Sequence, residues 1–320
     1  MRLVQRATPC PLCYIFAALG SLATVFTIVL ITTWSLDKTL KALTIISPYT
    51  YLRVFVVIGV ISLASVVSYR SGLWNIGQEG QAIVGALAAL TSHNALEALA
   101  LALLTSAGWI LAPALLRAWG GVNEAVSTFL TTFIAIYLAR YFVEGPLRDP
   151  TKKGFIVSIE APAVDLHIAF IVLAFVAMGV IFLYRTRAGL YLQLLSSSED
   201  VVRYSGKSPR VYILLALTIS GALSGVGGAL EVMSREAGRY MMIQQVSTGF
   251  GFYGIAASWL GGLNLLGVLA SSLYIAWLYE VAINLKVFGL PALVANALVG
   301  TAMAWGLAGY MFYKYRVVWR

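Results

Sequence analysis

Cysteine, histidine and charge are all scarce in this chain. Cys10 and Cys13 are the only cysteines, His93 and His167 the only histidines, and charged residues make up 11% of the sequence. The Cys10-Pro11-Leu12-Cys13 pair has no second cysteine pair and no nearby histidine to complete a tetrahedral zinc site. It reads as an incidental pair at the entry to an apolar stretch. The histidines sit near predicted external loops and lack ligand spacing, so no metal is expected. Gly206-Lys207-Ser208 has the tail of a phosphate-binding loop, but Val201 stands where the earlier glycine is required and no strand precedes it. The chain thus has no ATP site of its own. With no clustered nucleophile and base, the sequence argues against an enzyme and calls for no cofactor.

Apolar sequence is abundant. Hydrophobic residues reach 60% and the mean hydropathy is +0.86, well beyond a soluble domain. Runs of about twenty apolar residues, the length that crosses a bilayer core, recur along the whole chain. The expected fold is all-α: a polytopic transmembrane helical bundle in which residues 1–320 form one domain. About ten spans are predicted, at 12–33, 50–69, 77–92, 95–117, 122–143, 167–185, 211–232, 250–262, 264–285 and 291–313. Two of them, 77–92 and 250–262, are shorter than a full crossing. The first run follows Arg2 and Arg6 like a signal peptide, yet it is too long and lacks a small-x-small cleavage site, so an uncleaved span is expected.

The net charge of +9 is spread over span ends rather than gathered in an aromatic-rich patch. That distribution suits anionic lipid and topology, not nucleic acid. Lys and Arg divide nearly evenly between the two sides. The basic loop around Arg203 and the basic C-terminal tail favour cytoplasmic N- and C-termini in a cell membrane.

Ser220 to Ala229 offers small residues for helix packing in lipid, with Gly221 and Gly225 in GxxxG register. Two glycine-interrupted stretches, Ser71 to Gln81 and Ser247 to Gly254, occupy comparable places in the two halves. Gly261-Gly262-Leu263-Asn264 breaks the chain again. Such pairs point to a translocation path between pseudo-repeat halves, although no residue-level repeat is evident. Six ionisable residues fall within or near spans: Arg53, Glu79, Glu124, Arg140, Glu231 and Glu280. Unpaired at the bilayer centre each costs roughly 2.5–3.5 kcal/mol on insertion scales. Glu79, among Asn75, Gln78 and Gln81, either belongs to a polar cluster facing a cavity or caps orphan amides at a helix start. Glu124, beside Asn123 and just before Ser127 and Thr128, has the same two readings. Glu231 and Glu280 are expected to be interfacial.

Between Thr186 and Arg210 the apolar character breaks for a polar island. Ser196 to Ser198 reads as a helix N-cap with Glu199 and Asp200 in the first turn. Tyr204-Ser205-Gly206 supplies a stop, and Pro209 prevents propagation of the helix. The island is either a solvated loop or a docking element for a cytoplasmic partner. Uphill transport would draw its energy from a partner ATPase, or from an ion gradient with Glu79 and Glu124 as carriers.

Four blocks carry a resemblance: Gly72–Leu90, Asn123–Pro150, Glu199–Val232 and Gly249–Val268. In that order they resemble permease subunits of ABC importers, in the branched-chain amino acid/ribose permease superfamily, and most of all its nucleoside and simple-sugar group. The resemblance implies a path for a nucleoside or simple sugar, with a branched-chain amino acid as a further alternative. It implies a second permease subunit, homologous or identical, together with cytoplasmic ABC ATPase subunits and an extracytoplasmic substrate-binding lipoprotein. It also implies that residues 186–210 couple the bundle to the ATPase, through Ser197, Glu199, Asp200, Arg203, Tyr204, Ser205 and Gly206. Ser198 and Lys207-Ser208-Pro209 depart from the family pattern there. A path for a hydroxylated substrate needs polar groups that bind weakly enough to release it. The candidates are Asn75, Glu79, Gln81, Asn123, Ser127 and Thr128 on one side, with Phe250, Phe252, Tyr253 and Asn264 on the other.

Overall fold

The computed structural model describes residues 2–5, 10, 12–236, 238–290 and 293–318. Its helices are α1 (Leu12–Thr33), α2 (Leu36–Thr44), α3 (Pro48–Arg70), α4 (Gln78–Leu90), α5 (Ala95–Gly120), α6 (Glu124–Glu144) and α7 (Leu166–Arg185). They continue with α8 (Arg187–Leu195), α9 (Glu199–Tyr204), α10 (Pro209–Met233), α11 (Phe250–Leu260), α12 (Leu265–Val287) and α13 (Leu293–Lys314). Strands β1 (Arg2–Gln5) and β2 (Tyr315–Val318) pair antiparallel, with Arg2 opposite Val318 and Gln5 opposite Tyr315.

Among the described residues, seven helical stretches have the length and composition to cross a membrane: Ile15–Thr33 within α1, then α3, α5, α6, α7, α10 and α12. α4 and α11, with 13 and 11 residues, are too short to cross. α2 and α8, both absent from the sequence reading, are nine-residue helices. The chain forms two compact units, Val56–Ile255 and a second one made of Met1–Phe55 with Ala256–Arg320.

In the Val56–Ile255 unit, α4 is buried along all of its residues. Its neighbours carry glycine where backbones meet. A Cβ on Gly85 would strike the Gly225 backbone, and one on Gly228 would strike the Ala82 carbonyl. Apolar side chains gain little by leaving lipid, so this close approach supplies the attraction between the helices. On α3, Ser62, Ser65 and Ser68 recur every three residues and are all buried.

Two ends of this unit can be told apart. At one end, Ser158 donates its amide to the Met241 carbonyl at 3.0 Å and Ala161 donates to Arg239 at 2.7 Å. Lys152 and Arg239 both pair with Glu160, at 2.9 and 3.3 Å. These contacts knit the 145–165 segment to the 234–249 segment. At the other end lie the turn 71–77, the α5–α6 turn and the 186–210 island, where a Cβ on Gly72 would come 2.9 Å from Ser196 Cα. α10 spans the two ends, from Pro209 beside α9 to Met233, whose carbonyl accepts from Val164 at 3.1 Å. Glu231 is buried and paired with Arg235 at 2.7 Å.

The second unit packs α1 with α12 and α13. Trp305 donates its indole N–H to Thr24 Oγ1 at 3.2 Å, and the Ser21 and Tyr274 hydroxyls lie 2.9 Å apart. α2 lies along α12, where Trp277 and Asn284 donate to the carbonyls of Leu43 and Ala42, both at 3.0 Å. Glu280 is buried, and its carboxylate accepts the Ser47 amide at 3.2 Å. Cys10 and Cys13 are joined in a disulfide at the entry to α1.

Candidate functional site

The two glycine-interrupted stretches of the Val56–Ile255 unit meet. α4 begins at Gln78 after Gly77, whose position provides no side-chain cap. α11 begins at Phe250 after Gly249, which has φ +83°. A Cβ on Gly251 would overlap the Glu79 backbone, so only glycine admits this approach. Each helix start exposes unpaired amides and about half a positive charge. Brought together, two such ends repel unless an anion lies between them.

The Glu79 carboxyl group lies between them. Its Oε1 accepts from the Ser247 hydroxyl at 2.6 Å and the Gly249 amide at 2.8 Å, while Oε2 accepts from the Gly251 amide at 2.7 Å. The side chain sits in the first turn of α4 and caps the first turn of α11. Of the two readings open for Glu79, the capping one describes its contacts, and the helix it caps is the distant one. The buried acid is satisfied by three donors rather than left to pay the full desolvation cost of a charge.

Asn75 and Gln81 face each other across the same helix start. Asn75 Nδ2 donates to Gln81 Oε1 at 3.0 Å and to Ser220 Oγ at 3.0 Å, and Gln81 Nε2 returns a bond to Asn75 Oδ1 at 2.9 Å. Ser220 continues to Ser68 at 3.3 Å, and the Gln81 carbonyl accepts from Ser106 at 2.9 Å. Ser65 donates to Gln78 Oε1 at 2.7 Å. The serines that complete this network were missed as site residues. For Ser65 and Ser68 the available signal is their three-residue spacing with Ser62 on α3, whereas Ser106 and Ser220 lie on α5 and α10.

On α6, Thr128 is fully buried and its hydroxyl accepts the Ile76 amide at 3.1 Å. Ser127 turns back onto the Glu124 carbonyl at 3.3 Å. Asn123 caps α6, accepting the Ala125 and Val126 amides at 2.9 and 3.2 Å. Phe250 and Tyr253 are buried with rings edge to face at 5.8 Å, whereas Phe252 is exposed. Asn264 belongs to the second unit, where it caps α12 by accepting the Leu266 amide at 3.2 Å. Asn75, Glu79, Gln81, Thr128 and Phe250 therefore gather at the start of α4. Asn123 and Asn264 are helix caps elsewhere.

In the island, Ser198 caps α9 through Oγ, which accepts the Asp200 amide at 3.1 Å. α9 ends at Tyr204, and Gly206 turns the chain at φ +77°. Val202 is completely buried against Leu192, Leu195 and Ile213 and anchors the helix. Ser197, Asp200, Arg203, Ser205 and Gly206 are exposed, and Tyr204 is 90% exposed. Arg203 pairs along its own helix, with Asp200 at 2.8 Å.

Glu199 differs from its neighbours, because it points inward to Arg117 in the last turn of α5. Arg117 Nη2 lies 2.6 Å from Glu199 Oε1, and its Nε lies 3.0 Å from Glu124 Oε2. The other Glu124 oxygen accepts the Trp74 amide at 3.1 Å. Nothing in the sequence singles out Arg117 beyond its place at the end of the predicted span 95–117. No cluster of three or more metal-ligating side chains occurs among the described residues.

The family model described as "Branched-chain amino acid transport system / permease component" matches residues 47–313. The chain is 30% identical over 270 residues to the guanosine ABC transporter permease protein NupP of Bacillus subtilis, covering 78% of this chain and 77% of that one. It is 28% identical over 285 residues to the glucose ABC transporter permease protein TsgB13 of Haloferax volcanii, covering 80% and 74%. Against the nucleoside ABC transporter permease protein NupB of Lactococcus lactis the identity is 24% over 259 residues, covering 72% and 70%. The matched region takes in α4, the island and α11, and the described residues include seven helices long and apolar enough to cross a membrane; the chain belongs to this family of membrane-embedded transport permeases, which are not themselves enzymes.

Proposed function

We propose that the chain forms the translocation path of an ATP-driven importer and carries a nucleoside, with a simple sugar as the nearest alternative. The names of the relatives support that order, since guanosine and nucleoside stand in two of them and glucose in one. In this reading an extracytoplasmic binding protein delivers the substrate, and a second permease subunit completes the path. ATP is hydrolysed in separate cytoplasmic subunits. All ten predicted segments lie in the membrane, with α4 and α11 as half-helices of two related halves within a single permease domain. The paired ends β1 and β2 face the cytoplasm, as does the 186–210 island.

The observation that carries the coupling role is the build of α9. One buried valine anchors a short charged helix that offers an almost fully exposed tyrosine at its tip. Nothing in the fold of this unit needs Tyr204 outside, whereas an aromatic amid charge is what a protein interface selects. Ser197, Asp200, Arg203, Ser205 and Gly206 complete that surface, and Glu199 joins the coupling from its inner side through Arg117. An ion-driven cycle would instead use Glu79 or Glu124 as a carrier. Both carboxylates are already committed to protein donors, which favours the ATP-driven reading.

The test is uptake by proteoliposomes that hold the assembled transporter. ATP-dependent accumulation of labelled guanosine, abolished by Y204A or R203E with insertion intact, is the expected result. Accumulation of glucose alone would overturn the nucleoside assignment. Accumulation driven by a proton or sodium gradient without ATP would overturn the importer itself.

A further inference from the structure

We infer that Arg117 is a positioning residue that carries movement of the docking island to the turn from which α4 starts. The inference rests on the coupling role proposed for residues 186–210. Three helix ends converge on one guanidinium: the C-terminal end of α5, the N-terminal end of α6 and the N-terminal end of α9. Each charge suits its end, because acids at helix starts and a base in a last turn complement the backbone dipoles. Glu124 and Glu199 come from different helices, and Arg117 binds one through Nε and the other through Nη2. A guanidinium offers several donors in a fixed plane, so it holds two carboxylates at a set separation, which an ammonium does not.

The connection does not end at Glu124. Its second oxygen holds the Trp74 amide, and one helical turn further along α6 Thr128 holds the Ile76 amide. The 71–77 turn is thereby fastened to α6 on both sides of Asn75. Gly72 packs against Ser196 of the island, giving the turn a second, purely steric contact with the same moving part. Beyond the turn come Gly77 and the first residues of α4, including Glu79 and its hold on α11. A shift of α9 therefore has a charged route, through Glu199, Arg117 and Glu124, to the amides that set where α4 begins. The outward-facing charges of α9 have no such route, since Arg203 closes on Asp200.

Hydrogen–deuterium exchange on the full transporter tests this, with the ATPase subunits nucleotide-free or trapped with ATP and vanadate. Trapping is expected to alter exchange in peptides covering 72–78 of the unaltered chain. In R117M that nucleotide-dependent difference should vanish while the ATPase still co-purifies. R117K should restore it only in part. E124Q, whose substitution lies away from the docking surface, should weaken it too, and this variant decides the matter if R117M fails to fold. Persistence of the full difference in R117M or E124Q overturns the relay, as does its absence from the unaltered chain. An ATPase that binds R203E and Y204A as well as the unaltered chain overturns the docking role instead, and that outcome is separable because it is read by co-purification.

Discussion

The start of α4 and the polar island both interrupt an apolar sequence, and they use their polar groups in opposite ways. Around α4 every predicted polar residue turns inward: Glu79 onto three donors, Asn75 and Gln81 onto each other, Thr128 onto a backbone amide. In the island, Arg203, Asp200 and Ser197 turn outward, and Glu199 alone reaches in. The polar residues of the two regions thus divide into those that satisfy an irregular backbone and those that stay exposed. Lipid offers no hydrogen bonds to a backbone without internal partners, so irregular backbone inside an apolar bundle needs the first kind.

Substitutions can sharpen or break this contrast. E79A should cost most, about 3–5 kcal/mol, since it strands two buried amides and a hydroxyl; detergent-unfolding midpoints would register the loss. N75A comes next at about 2 kcal/mol, because Gln81 and Ser220 lose a shared partner. R203E should leave the unfolding midpoint within about 0.5 kcal/mol of the unaltered protein while abolishing uptake, as an exposed pair contributes little to stability. If R203E destabilised the fold as much as E79A, the division between the two regions would fail. The smallest effect is expected at the opposite end of the bundle. The Thr151 hydroxyl and amide donate to Asp149 and hold its carboxyl below the usual carboxylate range. A depressed folded value means that the contribution is present above the unfolded pKa and fades as pH falls through the folded one. D149N should therefore flatten a slight acid-side dependence of the midpoint.

Helix placement was legible because run length and capping are local. α9 illustrates this: Ser198, the acids after it and Gly206 mark both of its ends within nine residues. α2 and α8 were passed over because their charges (Asp37, Lys38 and Lys41 in one, Arg187 in the other) resemble loop sequence. The β1–β2 pairing joins opposite ends of the chain and leaves no local trace. In the site, residue types were legible and their directions were not. That Glu79 binds something could be read from its place in an apolar chain. That its partners lie 168 to 172 residues away could not. Arg117 and Glu124 stand seven apart across a glycine turn, which hinted at their pairing, but Glu199 is 82 residues from Arg117.

The glycine contact between α4 and α10 has a mechanical consequence. Where Gly85 meets Gly225 and Ala82 meets Gly228, main chain lies on main chain with no rotatable group between. Side chains that swap rotamers can lubricate sliding; bare backbone cannot, and densely packed matter transmits displacement instead of absorbing it. A seam packed this closely resists being prised apart, so bending in this unit is expected at the connectors that end the two helices instead of across the seam.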